Sequence, residues 1–181
     1  MPDSVSEGAL DWMGVAHMLG EPGACPELAG VGERTPLLEP EQIVLFAWGP
    51  EQATSFERAA IERRAIEVVP VEAVAADPER AAMRARRSIE RRCDRLLVHF
   101  DVDVIDFTDV PLSENGGRNE GLSFDHALRA LAAILASPRL AGLTLTELNP
   151  DHAERDAGGI ERFAVAVADG LARALSAPAV P

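Results

Sequence analysis

Leu96 to Asp106, reading Leu-Leu-Val-His-Phe-Asp-Val-Asp-Val-Ile-Asp, is an apolar run that ends in carboxylates placed two residues apart. Four apolar positions in the five from Leu96 to Phe100 read as a strand, and their continuity implies cover on both faces, as in a parallel sheet. A strand alternates its faces, so Asp101 and Asp103 should project from the same side where the strand meets its loop. At roughly 6 Å and an effective dielectric of about 20, two ionised carboxylates repel by about 3 kcal/mol, which a proton, an arginine or a divalent metal must relieve. Hard oxygen donors favour Mg, Mn or Ca over copper. The plain alternative is two aspartates solvating a strand end.

The rest of the chain alternates strand and helix. Ala9 to Leu19 has helical spacing, and Gly20 to Pro40, rich in Gly and Pro, reads as a long loop. Ile43 to Trp48 is a strand, Glu51 to Arg63 a helix and Ile66 to Pro70 a second strand. Asp77 caps the next helix, with Pro78 in its first turn. After the strand Leu96 to Phe100 comes a long loop, Val104 to Leu122. Ser123 caps the helix Phe124 to Ala136, Leu140 to Leu145 is the fourth strand, and Asn149-Pro150 makes a turn. Gly159 to Leu175 is a final helix, and Ser176 to Pro181 a frayed tail. Such βαβ order predicts parallel strands with helices on both faces, and the carboxyl ends of parallel strands share one edge. Asp101, Asp103 and Glu147 should then meet on one rim, where open α/β sheets bind ligands.

Several segments, in order, carry a family resemblance: His99-Phe-Asp-Val-Asp-Val-Ile-Asp106, Gly116-Gly117, Glu120-Gly121-Leu122-Ser123 and Leu143-Thr-Leu-Thr-Glu-Leu-Asn-Pro150. Together they resemble the C-terminal part of the arginase or ureohydrolase family, which includes agmatinases and formimidoylglutamases. The resemblance implies a three-layer αβα fold with a mainly parallel sheet, and one arginase-like domain over 1–181 that is incomplete at its N-terminus. It implies two Mn²⁺ ions activating a hydroxide against a guanidinium or amidino carbon, and a homo-oligomer. By resemblance, Asp101 and Asp103 are metal ligands and Glu147 receives the cationic group of a guanidino or amidino substrate; no catalytic residue is assigned.

The sequence departs from that pattern in three places. The Gly-Gly-Asp-His and Asp-x-His-x-Asp segments that supply the family's other ligands do not occur in it. Ser6 to Leu19 resembles the segment that follows them, with Asp11-Trp12 where arginases proper carry His-Gly. Asn115 to Asn119 replaces a Gly-Thr-Pro type of loop.

Composition narrows the function classes. A net charge of −13 argues against nucleic acid, whose backbone is bound by cationic side chains, and suits cationic ligands. All 17 basic residues are arginine, which removes a Schiff-base lysine and a P-loop. Arg80, Arg84, Arg86, Arg87, Arg91 and Arg92 read as a solvated helix face, with subunit contacts as a second role. No run reaches the roughly 18 apolar residues of a membrane span, and Met1 to Ser6 lacks signal-peptide features, so a cytoplasmic protein is expected. Cys25 and Cys93 read as free thiols.

Among lesser candidates, Asp106 reads as a loop brace and His99 as a hydrogen-bonded strand residue facing the side of Asp101. His17 reads as packing or surface, His126 as exposed, His152 as a rim residue, and Trp12 and Trp48 as core or subunit contacts. Three functions are consistent with this reading. One is a ureohydrolase cutting a C–N bond. Another is a catalytically incomplete relative that binds a ligand or subunit. The third is a haloacid-dehalogenase-like phosphotransferase using the first Asp as nucleophile, a class that usually needs a lysine this chain lacks.

Overall fold

The computed structural model describes residues 10–116, 120–153 and 158–176. The expectations for Met1 to Ser6 and Ala9, for Gly117 to Asn119 and for the tail beyond Ser176 lie outside them. Two compact units are formed, Met1–Leu45 with Pro50–Glu67, and Phe46–Gly49 with Val68–Pro181.

In the first unit a 3-10 turn, Asp11–Met13, leads into the short helix α1 (Gly14–Met18). The predicted loop Gly20 to Pro40 contains a one-turn helix, α2 (Pro26–Ala29), which Pro26 starts because a missing N–H costs nothing in a first turn. Helix α3 (Ser55–Arg64) begins later than predicted. Thr54 and Glu57 form a capping box there, Glu57 N donating to Thr54 Oγ1 at 3.2 Å and Thr54 N to Glu57 Oε2 at 2.7 Å. Met13, Leu19 and Ile66 are buried, and with them the carboxylate of Glu21, which accepts from Arg63 at 2.6 Å and Arg64 at 2.5 Å. Trp12 is 53% exposed, which excludes the core role and leaves the subunit contact of the two roles read for it. His17 is buried and its Nδ1 accepts from the Cys25 amide at 3.3 Å.

Strand β1 (Val44–Trp48) pairs with β2 (Glu67–Pro70). The second unit continues with α4 (Val71–Ala76), which the sequence reading missed, and α5 (Pro78–Glu90). Asp77 caps α5 as predicted, its Oδ1 accepting from Arg80 N at 3.1 Å. Then follow β3 (Leu96–Asp101), α6 (Phe124–Leu135), β4 (Leu140–Thr146), α7 (Pro150–Ala153) and α8 (Gly159–Ser176). Ser123 caps α6 through its hydroxyl, 3.3 Å from His126 N. Ala81, Ala82 and Ala85 on α5 and Ala127 and Ala130 on α6 are buried small residues, which lets two helices approach closely. Gly170 does the same for α8: a Cβ there would stand 2.9 Å from Leu135 Cδ1. Large side chains fill what remains, with Val74, Val102, Ile105, Leu112, Leu122, Leu131, Leu135 and Phe163 buried in one cluster. Each such burial contributes about 1.5–3 kcal/mol.

Strands β3 and β4 are parallel, in register from Leu97↔Gly142 to Asp101↔Thr146. Val98 and Phe100 pack on the core, the Phe100 ring 5.9 Å from that of Phe163. The other face does not follow the sequence reading. Leu97 is 77% exposed and His99 and Asp101 are also exposed, so cover on both faces is absent among the described residues. An apolar run marks a strand fit for double burial; the packed partner on the second face must come from other residues.

The arginine cluster is mixed. Arg84, Arg87, Arg91 and Arg92 are exposed, whereas Arg86 turns inward, donating to the Ala133 carbonyl at 2.9 Å with Glu90 at 3.5 Å. Both cysteines are free. No helix among the described residues is long and apolar enough to cross a membrane.

Candidate functional site

The strand of the Asp-x-Asp motif ends at its first aspartate. Asp101 is the last residue of β3, and Val102–Val104 forms a 3-10 turn that buries Val102 completely. Asp101 Oδ1 accepts from the amide of Asp103 at 2.9 Å, closing the turn through its own side chain. Asp103 is therefore carried by the turn and not by strand alternation. It is half-buried with Oδ1 inside the protein, while Asp101 is exposed.

The loop beyond the turn is folded back and pinned. Asp106 N donates to Leu122 O and Leu122 N to Val104 O, both at 2.8 Å, and Gly121 sits between these strands of chain. A Cβ on Gly121 would lie 2.7 Å from Asp106 N and from Val104 O, so only glycine fits. Asp106 braces the loop as expected, its Oδ1 accepting from Thr108 N at 2.8 Å and Thr108 Oγ1 at 2.6 Å.

Glu147 follows β4 at the same edge. Asp101 pairs with Thr146, so Glu147 comes one residue beyond the partner of Asp101. Its φ of 61° is in the left-handed region, which a non-glycine residue occupies only where the surroundings hold it. The returning loop supplies that hold. Glu114 N donates to Glu147 O at 2.7 Å, Ser113 bridges Leu148, and Asn149 N donates to Leu112 O at 2.8 Å. Asn149 does more than turn the chain: its Oδ1 accepts from Asp151 N at 2.8 Å to cap α7, and its Nδ2 donates to the Glu114 carboxylate. His152, half-buried near this rim, uses Nδ1 to donate to Ser113 O at 2.8 Å and meets Phe107 edge-on at 5.6 Å. His126 is half-buried rather than exposed.

His99 faces the side of Asp101, as read from the sequence, and its ring bridges to β4. Nδ1 lies 2.8 Å from Thr144 Oγ1 and Nε2 3.3 Å from Thr146 Oγ1. The two threonines were overlooked as partners, although Thr-x-Thr at period two in a strand puts both on one face.

Among the described residues no three His, Cys, Asp or Glu side chains are grouped so that they could hold a metal ion. Asp101 and Asp103 offer the hard oxygen chemistry that manganese takes, but two carboxylates leave most of its shell unfilled. The donor set described here does not by itself fit a metal centre.

Comparison with known proteins places this geometry. The Arginase family pattern matches residues 29–175, a span that includes Asp101, Asp103 and Glu147. The fold is shared with the native arginase of Bacillus caldovelox at pH 5.6, with a TM-score of 0.80 and 22% identity, covering 93% of this chain and 55% of that one. The arginase of Bacillus subtilis subsp. subtilis str. 168 gives 0.80 at 18% identity, covering 98% and 58%. A Trypanosoma cruzi formiminoglutamase solved with Mn²⁺ gives 0.65 at 19%, covering 81% and 47%. No curated protein matches significantly in sequence. The class is thus an α/β protein with the arginase-like three-layer fold and its mainly parallel sheet. The chain belongs to the arginase family. It spans little more than half the length of the arginases it matches.

Proposed function

We propose that this chain carries part of a ureohydrolase centre, one that hydrolyses a C–N bond of a guanidino or amidino compound. The observation that carries the reading is the family match across 29–175 together with the register that sets Asp101 opposite Thr146, next to Glu147. In this reading Glu147 receives the cationic end of the substrate, because a carboxylate accepts two parallel N–H bonds from a guanidinium and a left-handed backbone held by the Glu114 amide keeps it in place. Asp101 and Asp103 are the oxygen donors toward manganese, the metal of the Trypanosoma cruzi relative. The further donors that metal needs are not grouped with them among the described residues, and no catalytic group is assigned. Residues 1–181 act as a single arginase-like domain in a cytoplasmic homo-oligomer.

A second reading, a relative that binds a ligand or a subunit without turnover, is favoured by the donor shortage and by the open β3/β4 face with Leu97 exposed. Calorimetric binding of agmatine and arginine to the wild type and to Glu147→Gln, beside their folding midpoints, tests the assignment of Glu147. Loss of binding with an unchanged midpoint is expected. Equal affinity in both proteins would remove the cation-receiving role, and a parallel loss of stability would make Glu147 structural.

A further inference from the structure

We propose that His99 is a positioning residue for Glu147, acting through Thr146, an inference that rests on the reading of Glu147 as the cation-binding carboxylate. The imidazole stands on the exposed face of β3 and spans two hydroxyls of β4, Thr144 at 2.8 Å and Thr146 at 3.3 Å. It is two residues before Asp101, and Thr146 is both the register partner of Asp101 and the residue entering the left-handed Glu147. One side chain therefore ties the two branches of the candidate site together at the point where the strand pair ends. Past that point no further β3–β4 pairing follows, since β3 stops at Asp101 and β4 at Thr146.

The chemistry suits a clamp. A neutral imidazole donates from one ring nitrogen and accepts at the other, and a threonine hydroxyl does either, so both contacts are satisfied in either tautomer. An imidazolium donates to both hydroxyls, so protonation does not open the bridge. Core packing does not explain the residue, because His99 is exposed and points away from Val98 and Phe100, which join the hydrophobic cluster. From the other side Glu147 is held by the Glu114 amide at 2.7 Å. His99 and Glu114 thus bracket the strained residue, one through the side chain before it and one through its own carbonyl.

The test compares wild type with His99→Ala, His99→Gln and, separately, Glu147→Gln. Amide hydrogen exchange at Glu114 reads whether the Glu147 carbonyl is held, and exchange at the α6 core residue Leu131 controls for general loosening. Agmatine affinity is measured alongside. In His99→Ala, Glu114 exchange should quicken and agmatine binding weaken, each roughly three- to tenfold, as for one or two lost hydrogen bonds, with Leu131 exchange unchanged. His99→Gln, whose amide can donate to one threonine and accept from the other, should restore both to within about twofold, on the same hydrogen-bond scale. Unchanged Glu114 exchange in His99→Ala, or equal quickening at Glu114 and Leu131, would overturn the proposal. An agmatine affinity insensitive to Glu147→Gln would instead remove the parent reading of Glu147, while the exchange data still decide whether His99 positions that backbone.

Discussion

Replacing Gly121 with alanine should loosen the loop that follows the Asp-x-Asp turn, and the size of the effect can be worked from the contacts. The new Cβ would meet Asp106 N and Val104 O at 2.7 Å and Ile105 C at 2.9 Å. All three are backbone atoms, so none can swing aside as a side chain would. Two of them belong to the hydrogen bonds Asp106 N to Leu122 O and Leu122 N to Val104 O. Overpacking costs about 1–3 kcal/mol and two weakened hydrogen bonds about 0.5–1.5 kcal/mol each, so a loss of about 2–6 kcal/mol is expected. With a urea slope of about 2 kcal/mol per molar, the midpoint should fall by about 1–3 M. Gly142→Ala is the control. Its Cβ would meet only Leu97 Cδ2 at 3.3 Å, the tip of an exposed side chain that can move, so its change should stay within about 0.5 kcal/mol. Urea unfolding of both variants followed by circular dichroism decides the matter. Equal midpoints for Gly121→Ala and Gly142→Ala would refute the close-approach argument.

Two further outcomes are expected away from the site. Glu21→Ala removes a carboxylate that is 3% exposed and held by Arg63 and Arg64; both arginines can turn to water, so thermal unfolding should report a loss of about 2–3 kcal/mol, less than for a fully buried pair. The Arg129 guanidinium, bonded to Glu79 at 2.7 and 2.8 Å, holds the Glu79 carboxyl below its ordinary 4.5. Because the folded value is the lower one, the pair contributes to stability above about pH 4.5 and the contribution fades as the pH falls through the depressed value. An NMR titration should find the Glu79 side chain titrating at higher pH in Arg129→Gln than in the wild type; no change would remove the pairing.

What the sequence made legible is what local chemistry decides. Asp77 and Ser123 cap the helices assigned to them, since a cap needs only its own side chain and the amides three residues on. Strands β3 and β4 and their parallel pairing followed from apolar runs separated by a helix. Val71–Ala76 was missed because a one-and-a-half-turn helix between β2 and Asp77 leaves no periodicity to read. The site was legible as residue types in order, but its geometry was not. Alternation predicts one regular strand carrying both aspartates; the chain instead leaves the strand at Asp101, because Val102 turns into the core and Asp101 bonds the Asp103 amide. The left-handed Glu147 and its tie to Glu114 join residues more than thirty positions apart, and no local pattern announces such a pairing. The double burial read into Leu96 to Phe100 failed for a similar reason: a strand's composition says what it can bury, and other segments say what covers it.

The central claim is the proposal that Asp101, Asp103 and Glu147 belong to a ureohydrolase centre whose metal shell is not completed among the described residues. The direct measurement is an Mn²⁺ titration of this chain, joined to urea release from arginine and agmatine with the metal present. The account predicts weak binding that Asp101→Asn and Asp103→Asn each reduce further, and turnover slow or absent. Tight binding of two Mn²⁺ per chain with robust urea release would contradict it, since other residues would then be completing the site.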